Sequence, residues 1–381
     1  MTHPLHKFPV LLFAMLPLAA AVAQESPAQN LILVTLDGVR WQEMFRGLDP
    51  RLAASEEYNQ LGATLTELFG ASEGATSAER VFPFLHEVVF QQGSVIGNRD
   101  AGSCARVTNP WYFSYPGYNE ILTGAADRSI DTNAATPNPN VSVLEWLNEQ
   151  EAFAGKVAVF ASWDVFPAIL NVERSGLPVN VGLPAAPETA FEETLVQLQQ
   201  DLPTLWPTVR LDGFTHHYAL SHLQNHHPRV VYIAYGETDD FAHEGHYEQV
   251  LMAANRTDRF LRELWDFVQS DPQYRANTVL LITTDHGRGE EPVETWQHHA
   301  SKESLSGYMQ SLAQYEEGIV GSDAVWIAAI GPGVVAQGSV DNEVCAGSNQ
   351  IAATLLQLLG MDYTAFNPDA GAPLTGLLVR P

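Results

Sequence analysis

The chain has 381 residues, 45% of them apolar, enough to bury a sizeable core in one large α/β domain or two smaller ones. Its charged residues are few and lopsided, 19 basic against 45 acidic, for a net charge of −26. Such a field repels nucleic-acid polymers and anionic membrane surfaces, so any phosphorylated substrate must be held by local cations.

Met1 to Ala23 reads as a secretory signal, with Lys7 in a short n-region, an apolar run from Phe8 to Leu18, and Ala21-Val22-Ala23 as the cleavage pattern. The run is short for a membrane span, and no later segment is long and apolar enough to be one. The alternative is a retained N-terminal anchor. The mature chain is expected to start near Gln24 in a secreted or periplasmic setting. Cys104 and Cys345 are compatible with one disulfide there, though the sequence does not show that they meet.

The run from Asn30 to Leu36 is a buried strand that stops on Asp37 and Gly38. Arg40 to Phe45 continues as a helical turn, residues 48 to 80 form a polar surface excursion, and Phe82 to Phe90 reads as a helix. Thr108 to Tyr118 is an aromatic loop centred on Ser114. Pro116 and Gly117 predict a sharp turn in it, followed by a helix from Asn119 to Thr123 that Gly124 closes. A polar stretch spans Asp127 to Asn140. A helix is then expected over Val141 to Gln150, a strand over Lys156 to Ala161, and a linker over Leu177 to Pro187. Helices follow at Glu188 to Leu202 and Asp212 to Asn225. A third apolar strand, Arg229 to Tyr235, precedes Gly236-Glu237-Thr238-Asp239. A long amphipathic helix from Tyr247 to Ser270 leads to the strand beginning at Thr278, which ends on Asp285-His286-Gly287. Val325 to Ile330 is the last strand and Gln350 to Leu359 the last helix. Strands alternating with helices predict an α/β fold, a mostly parallel central sheet with helices on both faces. With no repeat and no clean boundary, residues 24–381 are read as a single catalytic domain.

Three apolar strands far apart in sequence thus end on carboxylates, Asp37, Asp239 and Asp285. Open α/β sheets present their ligand groups at that position. Asp239 and His243 are four apart, so a helical turn points both to one side. Asp285-His286 is a second pair, and His298 and His299 supply a further imidazole. Nitrogen and oxygen donors of this kind suit two zinc-like divalent cations. Ser114 is the candidate nucleophile; its hydroxyl needs a base or a metal to react at neutral pH.

Leu-Asp37-Gly, Ser114-Tyr-Pro-Gly-Tyr…Leu-Thr-Gly124, Asp239-x-x-x-His243 and Thr-Asp285-His286-Gly resemble the alkaline phosphatase superfamily, particularly its phosphodiesterase/nucleotide pyrophosphatase-like members. The likeness is spread from residue 31 to about 360 in the family's order. It implies an α/β/α sandwich with two divalent ions, most simply zinc. Asp37, Asp285 and His286 would hold one ion with Ser114, and Asp239, His243 and a late histidine the other. That histidine is assigned to His299, because Trp296-x-x-His299 resembles the family's Trp-x-x-His-Gly segment; Ala300 replaces the glycine, and His298 is the alternative. The implied reaction is attack of Ser114 on phosphorus, giving a covalent phosphoserine that water hydrolyses.

Sulfatases share this fold, but their C/S-x-P-x-R pattern finds Tyr118 at the arginine position. A monoester dianion benefits from an arginine fork, for which Arg106, Arg128 and Arg288 are candidates. Asn133 is the nearest match to the substrate-binding asparagine of related phosphodiesterases. Trp111, Tyr112, Phe113, Tyr115 and Tyr118 stack on a leaving group or pack the loop. His216, His217, His222, His226 and His227 read as a solvated helix face, since no carboxylate or cysteine pattern completes them. The expected function is a secreted two-metal hydrolase acting on small phosphoric esters. The alternatives are a catalytically silent metal- or anion-binding protein, or a phosphomutase-, phosphonate- or sulfate-ester-cleaving relative. Oligomeric state leaves no trace in the sequence.

Overall fold

The protein was analysed as a computed structural model, which describes residues 27–183 and 187–379; the signal segment predicted at 1–23 lies outside them. Its strands are β1 (Asn30–Leu36), β2 (Ser94–Ile96), β3 (Ala105–Arg106), β4 (Val157–Ala161), β5 (Val179–Asn180), β6 (Val230–Tyr235), β7 (Thr278–Thr283), β8 (Ala324–Val325), β9 (Ile327–Ile330), β10 (Gly338–Ser339) and β11 (Ala346–Gly347). Eight of them form one sheet in the order β10-β2-β9-β7-β1-β6-β4-β5, and β11-β3-β8 form a small second sheet. In the large sheet only β9 runs antiparallel to its neighbours.

The apolar runs explain the layering. Every residue of β1 is buried. Ile32, Val34 and Leu36 enter one core while Leu31 and Leu33 enter the other, as alternation in a strand covered on both faces requires. Helices Asp212–His226 and Tyr247–Ser270 pack on the first face. Helices Ser114–Thr123, Val143–Glu149 and Ile351–Leu358 pack on the second. This is the α/β sandwich expected from the alternation of strands and helices. Cys104 and Cys345 are joined by a disulfide beside the small sheet.

Register then sets the position of the site. Leu36 pairs with Tyr235 of β6, and Thr35 pairs with Thr283 of β7. The carboxyl ends of three neighbouring strands are therefore level, and the residues following them meet at one edge of the sheet.

Several local expectations need correction. The helix after the aromatic loop starts at Ser114, not at Asn119, and runs through Pro116 and Gly117. Proline is tolerated in a first turn, where its missing N–H would have had no partner within the helix. The stretch from 48 to 80 holds three short helices, Pro50–Ala53, Ala63–Phe69 and Ser77–Val81. Phe82 to Phe90 contains a π-helical turn, Leu85–Val89. Val325 to Ile330 is not one strand: it divides between β8 and β9 at Trp326, whose Nε1 donates to the Val39 carbonyl at 3.0 Å.

Candidate metal centre and nucleophile

Asp37 follows β1, Asp285 and His286 follow β7, and Asp239 and His243 lie on the short helix Glu237–His243 that follows β6. Around His286 the spacing is tight. Its Nε2 lies 3.3 Å from Asp37 Oδ1, 3.5 Å from Asp285 Oδ2 and 3.7 Å from Asp239 Oδ1. Ser114 Oγ is 3.3 Å from the same nitrogen. On the other side, His243 Nε2 sits 3.2 Å from Asp239 Oδ2 and 3.0 Å from His299 Nε2. His299 Nε2 is 3.7 Å from Asp239 Oδ1. Asp239 thus faces both groups.

Two of the histidines share one arrangement. His286 gives Nδ1 to the Gly287 carbonyl at 2.9 Å, and His299 gives Nδ1 to the Tyr112 carbonyl at 3.1 Å. A ring nitrogen committed to a carbonyl fixes the other as the free donor, the arrangement of metal-ligating imidazoles. His298, by contrast, packs near Tyr315, with ring centroids 6.4 Å apart.

Electrostatics point the same way. Burial and the His286 charge push His243 down to about 4, and the same two causes hold His299 well below its ordinary value. Both are neutral imidazoles at pH 7. Burial opposes a charge on His286, but Asp285 and Asp37 overcome it and lift the imidazole to about 9. Burial and Asp37 raise the Asp285 carboxyl. Asp37 Oδ1 and Asp285 Oδ2 are buried without a hydrogen-bond partner among the described residues. Orphaned carboxylate oxygens are costly, and so are two imidazole lone pairs turned on each other at 3.0 Å. Divalent cations remove both costs. The donor set therefore fits divalent metal binding.

Supporting side chains were not legible in the sequence. Tyr118 is buried and donates its hydroxyl to Asp37 Oδ2 at 2.8 Å, so it does not stack on a leaving group. Arg288 is also buried; its guanidinium pairs with the Asp239 carboxylate and donates to Gln297 O at 2.7 Å, which removes it as an arginine fork. Arg128 pairs with Glu303 over the Trp111 ring, and Arg106 is exposed on β3. Glu120 accepts from Thr108 N and Asn109 N, each at 2.7 Å, and so ties down the loop before Ser114. In that loop Tyr112 adopts φ of 58°, a left-handed conformation that non-glycine residues rarely hold. The Phe113 ring meets Tyr308 at 5.3 Å, and the Tyr115 hydroxyl donates to the Thr136 carbonyl at 2.6 Å. Asn133 reaches the helix start, where its Oδ1 accepts from Tyr115 N at 3.0 Å.

The histidine-rich helix departs from expectation. His216 is fully buried rather than solvated, and Glu263, on another helix, supplies the carboxylate that local sequence lacked. His222 stacks on His226 at 4.4 Å, and His227 pairs with Asp271 at 3.1 Å.

Comparison with known proteins adds a partial family match and a fold. A model of the Metalloenzyme superfamily matches residues 214–363, the stretch carrying Asp239, His243, Asp285, His286 and His299. Among solved structures, the alkaline phosphatase PafA superposes with a TM-score of 0.58 at 10% identity, over 93% of this chain and 99% of that one. The fold is alkaline phosphatase-like. A 2-O GAG sulfatase superposes with a TM-score of 0.53 at 14% identity, over 91% and 73% of the two chains. The lipoteichoic acid synthase LtaP from Listeria monocytogenes gives 0.52 at 11%, over 88% and 72%. No curated protein matches the chain by sequence. The family model spans the metal-ligand candidates of the second half of the chain, and the superpositions show the fold. Its neighbours include both sulfatases and a phosphatase.

Proposed function

We propose that the chain is a secreted or periplasmic two-metal hydrolase of small phosphoric esters, with residues 24–381 acting as one catalytic domain and Ser114 as nucleophile. The observation that carries this reading is Ser114 Oγ lying 3.3 Å from His286 Nε2, at the first residue of a ten-residue helix and against the converging carboxylates. A binding-only scaffold has no need of a hydroxyl there. The Cys104–Cys345 disulfide supports an oxidising compartment.

Asp37, Asp285 and His286 would hold one divalent cation, and Asp239, His243 and His299 the other. When bound, zinc-like ions supply Lewis acidity that lowers a hydroxyl pKa and neutralises charge on phosphoryl oxygens. The chain's own groups do the rest. Ser114 Oγ attacks phosphorus, so that the Oγ–P bond forms and the ester P–O bond breaks; the hydroxyl proton passes to solvent and the departing oxygen takes one up to leave as the alcohol. A water then attacks phosphorus, the Oγ–P bond breaks, the phosphoryl group leaves as phosphate and Ser114 regains its proton. Tyr115 N is given to Asn133 and Pro116 has no N–H, so Ser114 N is the helix-end donor left for a phosphoryl oxygen. Asn133, pinned by Tyr115 N, would orient a second one.

Phosphate is favoured over sulfate because the position that sulfatases fill with arginine is Tyr118, whose hydroxyl is committed to Asp37. The test assays an aryl phosphate monoester, the diester and an aryl sulfate alongside metal analysis. We expect phosphoric ester turnover with two ions per chain, and its loss in Ser114→Ala with the metal retained. Full activity in Ser114→Ala excludes the covalent route, and turnover of the sulfate alone excludes the substrate class.

A further inference from the structure

A second convergence of imidazoles and a carboxylate lies on the outer helices, apart from the Ser114 cluster. His216 and His217 of helix Asp212–His226 and Glu263 of helix Tyr247–Ser270 bring one donor atom each within 4.8 Å of one another. His216 Nε2 is 3.1 Å from Glu263 Oε2. A tetrahedral ion with bonds of about 2.0–2.1 Å sets its donors roughly 3.3 Å apart, so this pair already stands at ligand spacing.

His216 is also held as ligating histidines are. Its Nδ1 is hydrogen-bonded to the Tyr235 hydroxyl at 3.1 Å, which leaves Nε2 to face Glu263. Its ring stacks on Phe260, with centroids 4.3 Å apart and planes 10° from parallel. Glu263 is 52% exposed and His217 half-buried, so a water can complete the coordination.

We propose that His216, His217 and Glu263 form a zinc-class cation site that clamps helix Asp212–His226 to helix Tyr247–Ser270. The imidazole-imidazole-carboxylate set selects zinc and its later-transition-metal neighbours over calcium or magnesium. Through the His216–Tyr235 bond the clamp also steadies the end of β6, just before the helix that bears Asp239 and His243.

The test titrates the protein, loaded with its resident ions, with Zn2+ against a chromogenic chelator. Wild type is expected to take up one equivalent more than His217→Ala/Glu263→Gln, and its Tm to rise with Zn2+ where the variant's does not. Both substituted side chains reach solvent, so folding should be spared; unchanged circular dichroism and ester turnover check this, and Glu263→Gln alone is the fallback variant. An Asp37→Asn/Asp285→Asn variant should keep the extra equivalent, which separates this site from the catalytic cluster. Equal uptake by wild type and His217→Ala/Glu263→Gln overturns the proposal, as does loss of the extra equivalent in Asp37→Asn/Asp285→Asn.

Discussion

The residues that hold the site together act through hydrogen bonds to the ligands as well as through the ligands themselves. Tyr118 shows this best. Its ring packs edge-on against Phe166, with centroids 4.8 Å apart, while its hydroxyl fixes Asp37 Oδ2 and leaves Oδ1 facing His286. Tyr118→Phe keeps the packing and removes the donor. Losing such an outer partner typically costs about 10–100-fold in metal affinity or activity. We expect that loss in chelator competition or in kcat, with little change in Tm; wild-type values in both would show that Asp37 orients itself. The candidate ligands could be picked out in the sequence because each carboxylate directly ends an apolar run or follows it closely. The partners could not. Tyr118 is 81 residues from Asp37 and Arg288 is 49 from Asp239, separations at which no local pattern operates. The same blindness hid Glu263, 47 residues from His216.

At the scale of elements, the helix bearing Ser114 was the instructive failure. Pro116 and Gly117 carry the chemistry of a turn, yet both lie in the first turn of a helix whose C-terminal stop at Gly124 was read correctly. The glycine is there for close approach. A Cβ on Gly117 would lie 2.5 Å from the Asp285 carbonyl oxygen and 3.2 Å from Asp285 Cβ. Helix and strand end therefore touch backbone to backbone, which is how Ser114 comes to rest beside His286. Gly117→Ala would gain helix propensity but must push the helix off β7. Overpacking of this kind costs about 1–3 kcal/mol. We expect a lower Tm and a larger fall in turnover than in stability, because the displacement moves Oγ directly; a variant more stable than wild type with full turnover would disprove the contact. Long elements were easier to read. The helix Tyr247–Ser270 was anticipated near both of its ends, since 24 residues of amphipathic pattern average out local exceptions. Two-residue strands such as β3 and β11 have no periodicity to find.

Two properties belong to the whole molecule. The Cys104–Cys345 bond joins positions 241 residues apart, so it restrains the unfolded chain over most of its length. Losing a native disulfide typically costs about 2–5 kcal/mol. Cys104→Ser/Cys345→Ser should lower Tm while leaving ester turnover at 25 °C close to wild type, since neither sulfur touches the site; an unchanged Tm would show that the bond contributes nothing measurable.

The net charge of −26 sets a second whole-molecule effect. An anionic ester must approach through a repulsive field before it meets the cations that Asp37, Asp239 and Asp285 would hold. Added salt shortens the reach of that field, from about 30 Å at 0.01 M to about 10 Å at 0.1 M, while the short-range attraction inside the buried site is screened much less. Over that range kcat/KM for an aryl phosphate should rise at least about two-fold, through KM rather than kcat. Most acidic proteins that bind anions at a positively lined mouth would show the opposite slope. A flat or falling dependence would therefore mean that local positive charge already dominates the approach.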